Sequence, residues 1–344
     1  MSRLTLALDV MGGDFGPRVT IPAALIALEK YPNLSFLFFG DQSQSSTYIS
    51  RFSTAYRSRI QFIHTDNAIE MDMPFVQALR QSKQSSMRLA IEAVAKGKAQ
   101  ACISGGNTGA LMGLAKLLIQ PLPSIARPAL TSLIPTMNGQ STVMLDLGAN
   151  VEVSSELLLQ FAEMGNIFAK KMLNLTAPRI NLLNIGTENN KGTTVLKTAH
   201  QNLKLRQDLN YQGFIESDKL TNHCADVIVC DGFSGNIALK ALEGVAKNIL
   251  ALLFKKSSEE FGLCTKIKRL ALRMLLYRYY RKLQQINPDR HNGATLLGLS
   301  SVVVKSHGGA NIRAFYYAIE YAISQIEHQI PQQIELGLQH LMQK

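Results

Sequence analysis

Short apolar runs rich in β-branched and aromatic residues recur along this chain. Nearly every one breaks at glycine and then resumes at helical spacing. Leu4–Asp9 predicts a first strand, MGGDFGP a turn, and Pro17 to about Glu29 a helix whose proline suits the first helical turn. Ser35–Gly40 and Ile60–His64 read as further strands, with a polar, serine-rich helix or loop from Asp41 to Arg59 between them. A polar stretch, DMPFVQALRQSKQSSM, leads into a helix through Met87, Ile91 and Val94. Ala101–Ser104 is a strand that ends in GGNTGALMG before a helix to Leu118, and the proline-punctuated stretch Gln120–Pro135 reads as a link. Thr142–Asp146, Ile180–Ile185 and Val227–Cys230 repeat the strand grammar. Each is followed by a small-residue turn and a helix: Ser155 to about Met172, Val195–Leu205, and a helix through Ile237, Leu239, Leu242 and Val245. Leu296–Lys305 predicts strand and turn, SHGGAN precedes a helix Ile312–Ser324, and an amphipathic helix runs to Leu341.

Strands alternating with helices predict parallel pairing with helices on both faces, a doubly wound, Rossmann-type α/β sandwich. The length, 344 residues, suits one large α/β domain that can divide into two lobes about a cleft. In such folds ligands bind at the carboxyl ends of the strands, where the glycine turns fall, so the turns are expected to converge on one strand edge. Each turn also opens a helix, whose first N–H groups attract anions.

Composition excludes little by itself. Hydrophobic content of 46% and charge of 18% are ordinary for a globular protein. No apolar run reaches a membrane span, and MSRLTLALDV reads as a first strand and not as a signal peptide. Cys102, Cys224, Cys230 and Cys264 are scattered without a CxxC pair. They are expected to be reduced thiols in a cytoplasmic protein, with no cofactor and no metal site. Charge changes the picture more. Of the formal net charge of +11, seven positive charges lie between Phe261 and Pro288, where no Asp or Glu occurs. Lys266, Lys268, Arg269, Arg273, Arg278, Arg281 and Lys282 do not fall in one helical stripe. The expectation is a projecting basic helical segment over residues 247–290 that meets an acidic partner or a membrane surface, against the plainer reading of a solvated basic face.

The turns carry the chemistry. Met11-Gly12-Gly13-Asp14-Phe15-Gly16 misses the dinucleotide fingerprint at Met11, where the glycine of the tight turn belongs, so a plain strand-to-helix turn outweighs nicotinamide binding. Gly105-Gly106-Asn107-Thr108-Gly109 packs small and amide residues where backbone can approach a ligand. Gly232-Phe233-Ser234-Gly235-Asn236 nearly fits the nucleophile elbow, with Asn236 in place of its last glycine, and Asp289 and His307 follow in hydrolase order. Ser234 is ranked as a turn or phosphate-binding hydroxyl ahead of a nucleophile, and Asn236 as the better catalytic candidate, because a side-chain amide can donate to an oxyanion. Lys191 in GTENNKG would be an exposed loop lysine if it stood alone. His307, before Gly308, is as well read as a capping or packed histidine as a catalytic one.

Seven stretches, ALDVMGGDFGP, DMPFVQALRQSKQSSM, SGGNTGALMG, LDLGANVE, LLNIGTENNKG, CDGFSGNIALKALEG and GATLLGLSSVVVKSHG, together resemble the phosphate acyltransferase family. These are the acyl-carrier-protein:phosphate transacylases (PlsX-type) of bacterial phospholipid synthesis. The resemblance spans nearly the whole chain. It implies a sandwich similar to isocitrate dehydrogenases and phosphotransacetylases, usually a homodimer. It also implies transfer of a fatty acyl group from acyl-carrier protein to inorganic phosphate, with acyl phosphate as product for a downstream glycerol-phosphate acyltransferase. Lys191 and Asn236 fall where the family's catalytic residues are expected, with His307 added from the residue reading. Asp9, Gly12, Gly13, Asp14, Gly105, Gly106, Asn107, Thr108, Asp146, Gly148, Asn150, Ser234, Gly235 and Gly308 are expected to line the substrate pocket. The basic segment is expected to touch carrier protein, or the inner face of the membrane peripherally. Two readings of other classes stay beside this one: a serine hydrolase or thioesterase using Ser234, Asp289 and His307, and a basic adaptor that binds a polyanion without turnover. The tyrosines near the basic segment carry no RNA-binding signature, so no nucleic-acid partner is expected.

Overall fold

The computed structural model describes residues 4–254 and 288–342. Its organising element is an eleven-stranded sheet in the order β3-β2-β1-β4-β11-β10-β5-β6-β9-β7-β8. The strands are β1 Leu4–Asp9, β2 Leu34–Gly40, β3 Ile60–His64, β4 Ala101–Ser104, β5 Ala129–Pro135, β6 Ser141–Leu145, β7 Ile180–Leu183, β8 Tyr211–Ile215, β9 Val227–Val229, β10 Ala294–Leu297 and β11 Val302–Lys305. The helices used below are α1 Pro17–Lys30, α2 Gln42–Ile49, α3 Thr54–Arg57, α4 Phe75–Gln81, α5 Ser86–Ala95, α6 Thr108–Leu118, α7 Ser155–Met172, α8 Thr194–Lys204, α9 Gly232–Phe254, α10 Ile312–Glu327 and α11 Ile330–Met342.

The apolar runs form strands for the expected reason. Ala101–Ser104 and Ile180–Leu183 are buried throughout, as strands covered on both faces must be, and Leu4–Asp9 is buried from Leu6 onward. One core layer joins α5 and α6 to the sheet through Ile91, Leu111, Leu114, Met144 and Ile228, with Leu239 and Leu242 of α9 packed on it. The opposite face carries α1 and α10 over β1, β2 and β4, and α7 and α11 over β6, β7 and β9.

The doubly wound sandwich holds, but the sheet is mixed. Two stretches behave differently from the sequence reading. The proline-punctuated link contains β5, and Leu296–Lys305 is two strands that pair antiparallel. β10 is antiparallel to β11 and to β5, and β5 is antiparallel to β6. The direction of the sheet therefore reverses at its middle. β1, β4 and β11 run parallel to one another, and β6, β9 and β7 run parallel to one another in the opposite sense. The expectation of a single strand edge is corrected accordingly: the glycine turns divide between two rims. Helix α4 is a further addition, formed where the sequence suggested only a polar stretch.

The projecting basic segment expected over 247–290 falls largely outside the described residues, as do all seven of its cations, Lys266, Lys268, Arg269, Arg273, Arg278, Arg281 and Lys282. Among the described residues no helix is long and apolar enough to cross a membrane. The described cysteines Cys102, Cys224 and Cys230 are free thiols.

Candidate functional site

The first rim is built by the turns after β1, β4 and β11. Asp9, fully buried, accepts hydrogen bonds from Ser86 Oγ (2.7 Å) and Ser104 Oγ (2.6 Å), tying β1 to β4 and to the start of α5. Burial pushes its carboxyl up, against the hydrogen bonds it receives. Ser306 N donates to Ser104 O and Asp14 N donates to Gly308 O, so the turns holding Gly12, Gly13, Gly105, Gly106 and Gly308 lie against one another. Asn107 caps α6 through Ala110 N, and its amide donates to Met71 O and Met73 O. That is the work of a scaffold residue which fixes the segment before α4. Thr108 opens α6 and is exposed. His307 also belongs here: its Nδ1 accepts from Gly309 N (3.0 Å), and its Nε2 lies 3.8 Å from Glu243 of α9.

A lysine that the sequence reading passed over sits in the middle of this rim. Lys305 closes β11, and its ammonium donates to Gly105 O (3.2 Å) and to Ser306 O. The only sequence signal was a single charge ending the apolar run VVVK. Burial pulls its pKa down from the ordinary 10.5 to about 8; the charges of Asp14 and Asp9 pull it back up, and Lys240 pushes it down. A lysine lowered on folding costs stability while both states are charged. That cost fades between about pH 8 and the ordinary lysine range, where the unfolded chain still holds a proton the folded chain has released. Stability is therefore expected to rise between about pH 8 and about pH 10.5, and Lys305→Met to flatten the rise. Denaturant midpoints across that window test it; an equal slope in the variant would refute the assignment.

The second rim gathers the turns after β6, β9 and β7. Asp146, fully buried, is the knot of this loop. Its carboxylate accepts from Leu130 N, Gly148 N, Ala149 N, Asn150 N and Asn150 Nδ2, at 2.6–3.1 Å. Burial raises its pKa and these donors oppose the rise. Asp146 thus shapes the rim, and its oxygens are already occupied. Asn150 Nδ2 also donates to Pro128 O (2.9 Å), and Asn150 O accepts from Gly232 N (2.8 Å). The 146–150 loop is thereby fastened to the entry of β5 on one side and to the start of α9 on the other.

Helix α9 begins against this loop. Ser234 donates through Oγ to Asp231 Oδ2 (2.8 Å), and Ser234 N donates to Asp231 Oδ1 (2.8 Å). Its hydroxyl is part of a helix start. Asp289 accepts from Asn311 Nδ2 (2.8 Å), and His307 stands on the other rim. The alternative hydrolase trio is not assembled: Ser234 and Glu243, the helix residue that faces His307, are nine residues or about 14 Å apart along α9.

Asn236 follows on the same first turns of α9 and is half-buried. Its amide has no hydrogen-bond partner among the described residues. Gly148, at φ +134°, lies beside it: a Cβ there would stand 3.7 Å from Asn236 Cγ, so the glycine leaves the amide face open. β7 pairs with β9, with Leu182 level with Val229, so the loop that carries Lys191 leaves the sheet beside the start of α9. Lys191 is exposed, and its ammonium has no ion pair among the described residues. Its backbone is held by Asn184 Nδ2 donating to Lys191 O (3.3 Å). The structure therefore places Lys191, Asn236, Gly148, Asn150, Asp146, Ser234 and Gly235 on one rim. Asp9, Gly12, Gly13, Asp14, Gly105, Gly106, Asn107, Thr108, His307 and Gly308 stand on the other, with α9 joining the two.

An amide and an ammonium at adjoining strand ends, both without partners among the described residues, suit a reaction that develops negative charge on an oxygen. Comparison with known proteins shows the family. The sequence profile of the fatty acid synthesis protein family matches residues 4–333. The phosphate acyltransferase of Actinobacillus pleuropneumoniae serotype 5b (strain L20) is 69% identical over 343 residues, covering 100% of this chain and 99% of the relative. That of Haemophilus ducreyi (strain 35000HP / ATCC 700724) is 62% identical over the same shares. A solved phosphotransacetylase from Streptococcus pyogenes superposes with a TM-score of 0.60 over 94% of each chain at 17% identity, a likeness of fold.

Proposed function

From the premise that this chain belongs to the fatty acid synthesis protein family of phosphate acyltransferases, we propose that it transfers a fatty acyl group from acyl-carrier protein to inorganic phosphate and releases an acyl phosphate for phospholipid synthesis. The observation that carries this reading is the pair Asn236 and Lys191, an amide and an ammonium without partners among the described residues, with the amide beside the gap that Gly148 leaves.

A phosphate oxygen attacks the thioester carbonyl carbon. Charge gathers on the carbonyl oxygen, the C–S bond breaks, and the carrier's thiolate leaves and takes up a proton. Asn236 is assigned the donor to the carbonyl oxygen and Lys191 the cation that holds phosphate or shares that charge. Phosphate is the nucleophile, so the mechanism needs no covalent serine or cysteine. That fits Cys230, buried with its thiol pKa well above the ordinary value, and Ser234, whose hydroxyl is taken by Asp231. His307 is assigned a supporting role through its approach to Glu243 of α9. A homodimer and peripheral contact with the inner face of the membrane go with the proposal. Phe233, Ile237, Val245 and Ile249 form an exposed apolar stripe on α9 that association would cover.

The test is thiol release from a long-chain acyl–carrier protein with and without inorganic phosphate. Release that depends on phosphate, with acyl phosphate as product, is expected; release indifferent to phosphate would overturn the reading in favour of a thioesterase. Ser234→Ala is expected to leave kcat within about threefold, whereas a serine nucleophile lost from a hydrolase would cost about 10⁴ or more.

A further inference from the structure

An open cleft of about 480 Å³ lies on the second rim, lined by Lys116, Arg127, Ala149, Asn150, Val151 and Glu152. None of the turn motifs placed Lys116 or Arg127 near the chemistry; topology does. Because β5 runs antiparallel to β6, the entry of β5, with Arg127 and Pro128 just before it, lies where β6 ends. Helix α6, which starts on the first rim at Asn107, delivers Lys116 in its last turn to the second.

The hydrogen bonds around this cleft limit how it can recognise a ligand. The N–H groups of Gly148, Ala149 and Asn150 all donate to Asp146, and Leu147 N donates to Leu130 O. The Asn150 amide is divided between Asp146 and Pro128 O. This wall therefore has no main-chain donor to offer from Leu147 to Asn150, although its sequence reads like an anion-binding turn. Over that span recognition falls to the side chains. Lys116 and Arg127 are both exposed, and neither has a hydrogen bond or ion pair among the described residues. Glu152 tempers them, leaving a net charge of one positive unit at the cleft. The buried bonds that Leu130 N donates to Asp146 and that Asn150 Nδ2 donates to Pro128 O clamp the backbone beside Arg127 to the wall. The loop that forms the wall is also the loop whose Gly148 faces Asn236.

We propose that this cleft is a subsite for a phosphoryl anion, with Arg127 offering a planar fork to two of its oxygens and Lys116 a point charge. The assignment rests on the acyl-transfer reading, which brings two such anions to the rim: inorganic phosphate, and the phosphate ester that joins a carrier protein's thiol arm to the carrier. Arg127 and Lys116 share the chemistry of both.

Calorimetric titration of the full chain with inorganic phosphate, with phosphopantetheine and with pantetheine separates the cases. The double variant Arg127→Gln, Lys116→Gln is expected to bind a phosphoryl probe at least about tenfold more weakly, the loss of a charged hydrogen-bonded contact, with pantetheine unchanged. Weakening confined to inorganic phosphate identifies the nucleophile's seat; weakening confined to phosphopantetheine identifies the carrier arm's. Glu152→Gln is expected to tighten the same probe severalfold, a sign that a merely structural role for these residues does not give. Both phosphoryl probes binding the double variant as they bind the native chain, or neither binding the native chain, overturns the proposal. Turnover is not read here. Thioester cleavage indifferent to phosphate would thus sink the acyl-transfer reading while the anion subsite stood or fell on the titration.

Discussion

Asn236→Ala is expected to lower kcat for phosphate-dependent thioester cleavage by about 10²–10³, with little change in the KM of either substrate. A donor aimed at an oxygen that becomes charged only in the transition state acts on the barrier and not on ground-state binding. Asn236 fits that description by position. It sits early in α9, is half-buried, lacks a protein partner among the described residues, and faces the space beside Gly148. The truncation leaves no orphaned partner behind, so the loss should be read in rate and not in stability. Asn236→Asp should be at least as damaging, because it replaces a donor by a negative charge beside a phosphate. Lys191→Ala separates two roles. A rise in phosphate KM at steady kcat assigns Lys191 to holding phosphate; a fall in kcat alone assigns it to the developing oxyanion. Steady-state kinetics with acyl phosphate quantified as product makes the measurement. An Asn236→Ala enzyme within a factor of two of the native rate would remove this residue from the mechanism.

Much of this rim was legible in the sequence because local chemistry announces itself. The strand–glycine–helix pattern placed β6, β7 and β9 within a residue or two, and it brought forward Asn236, Lys191 and Gly148 from turns that look alike on paper. What was not legible is the direction in which each turn faces. Ala129–Pro135 follows a proline and reads as a link, yet it becomes β5 because it turns back on β6 in a hairpin and the distant β10 pairs antiparallel with its other edge. Strand pairing of that kind is decided by distant partners and leaves no local period. One such hairpin reverses the sense of half the sheet, moves His307 away from Asn236 in the topology and carries Arg127 to it. The same limit explains Asp146 and Asn107. Both were expected to line the substrate pocket, and what the sequence hides is that both also bind backbone donors or acceptors that only the folded loops bring near. Lys305 was hidden for a related reason: a lysine at a strand end reads as a solvated terminus, and only the two carbonyls above it show that its ammonium turns inward.

Gly235→Ala is expected to be the most damaging single-methyl change in the molecule, through position and not chemistry. A Cβ at Gly235 would stand 1.9 Å from Asp146 O and 2.8 Å from Cys230 Sγ. The nearer atom is backbone, held in the loop that Asp146 ties with five donated hydrogen bonds, so it cannot swing aside as a side chain would. Either the first turn of α9 moves out or the 146–150 loop moves away. Both shifts act on the gap between Gly148 and Asn236. Overpacking of this kind costs about 1–3 kcal/mol or more, and a displaced oxyanion donor adds a rate loss comparable to removing it. The variant should show a lowered melting temperature and, where still folded, a kcat close to that of Asn236→Ala. Gly244→Ala is the matched control. It lies on the same helix with nothing within 4 Å of an added Cβ, and there the better helix propensity of alanine should stabilise by about 0.5–1 kcal/mol. If Gly235→Ala melted and turned over like Gly244→Ala, the tight seat of α9 on the Asp146 loop could not be what positions Asn236.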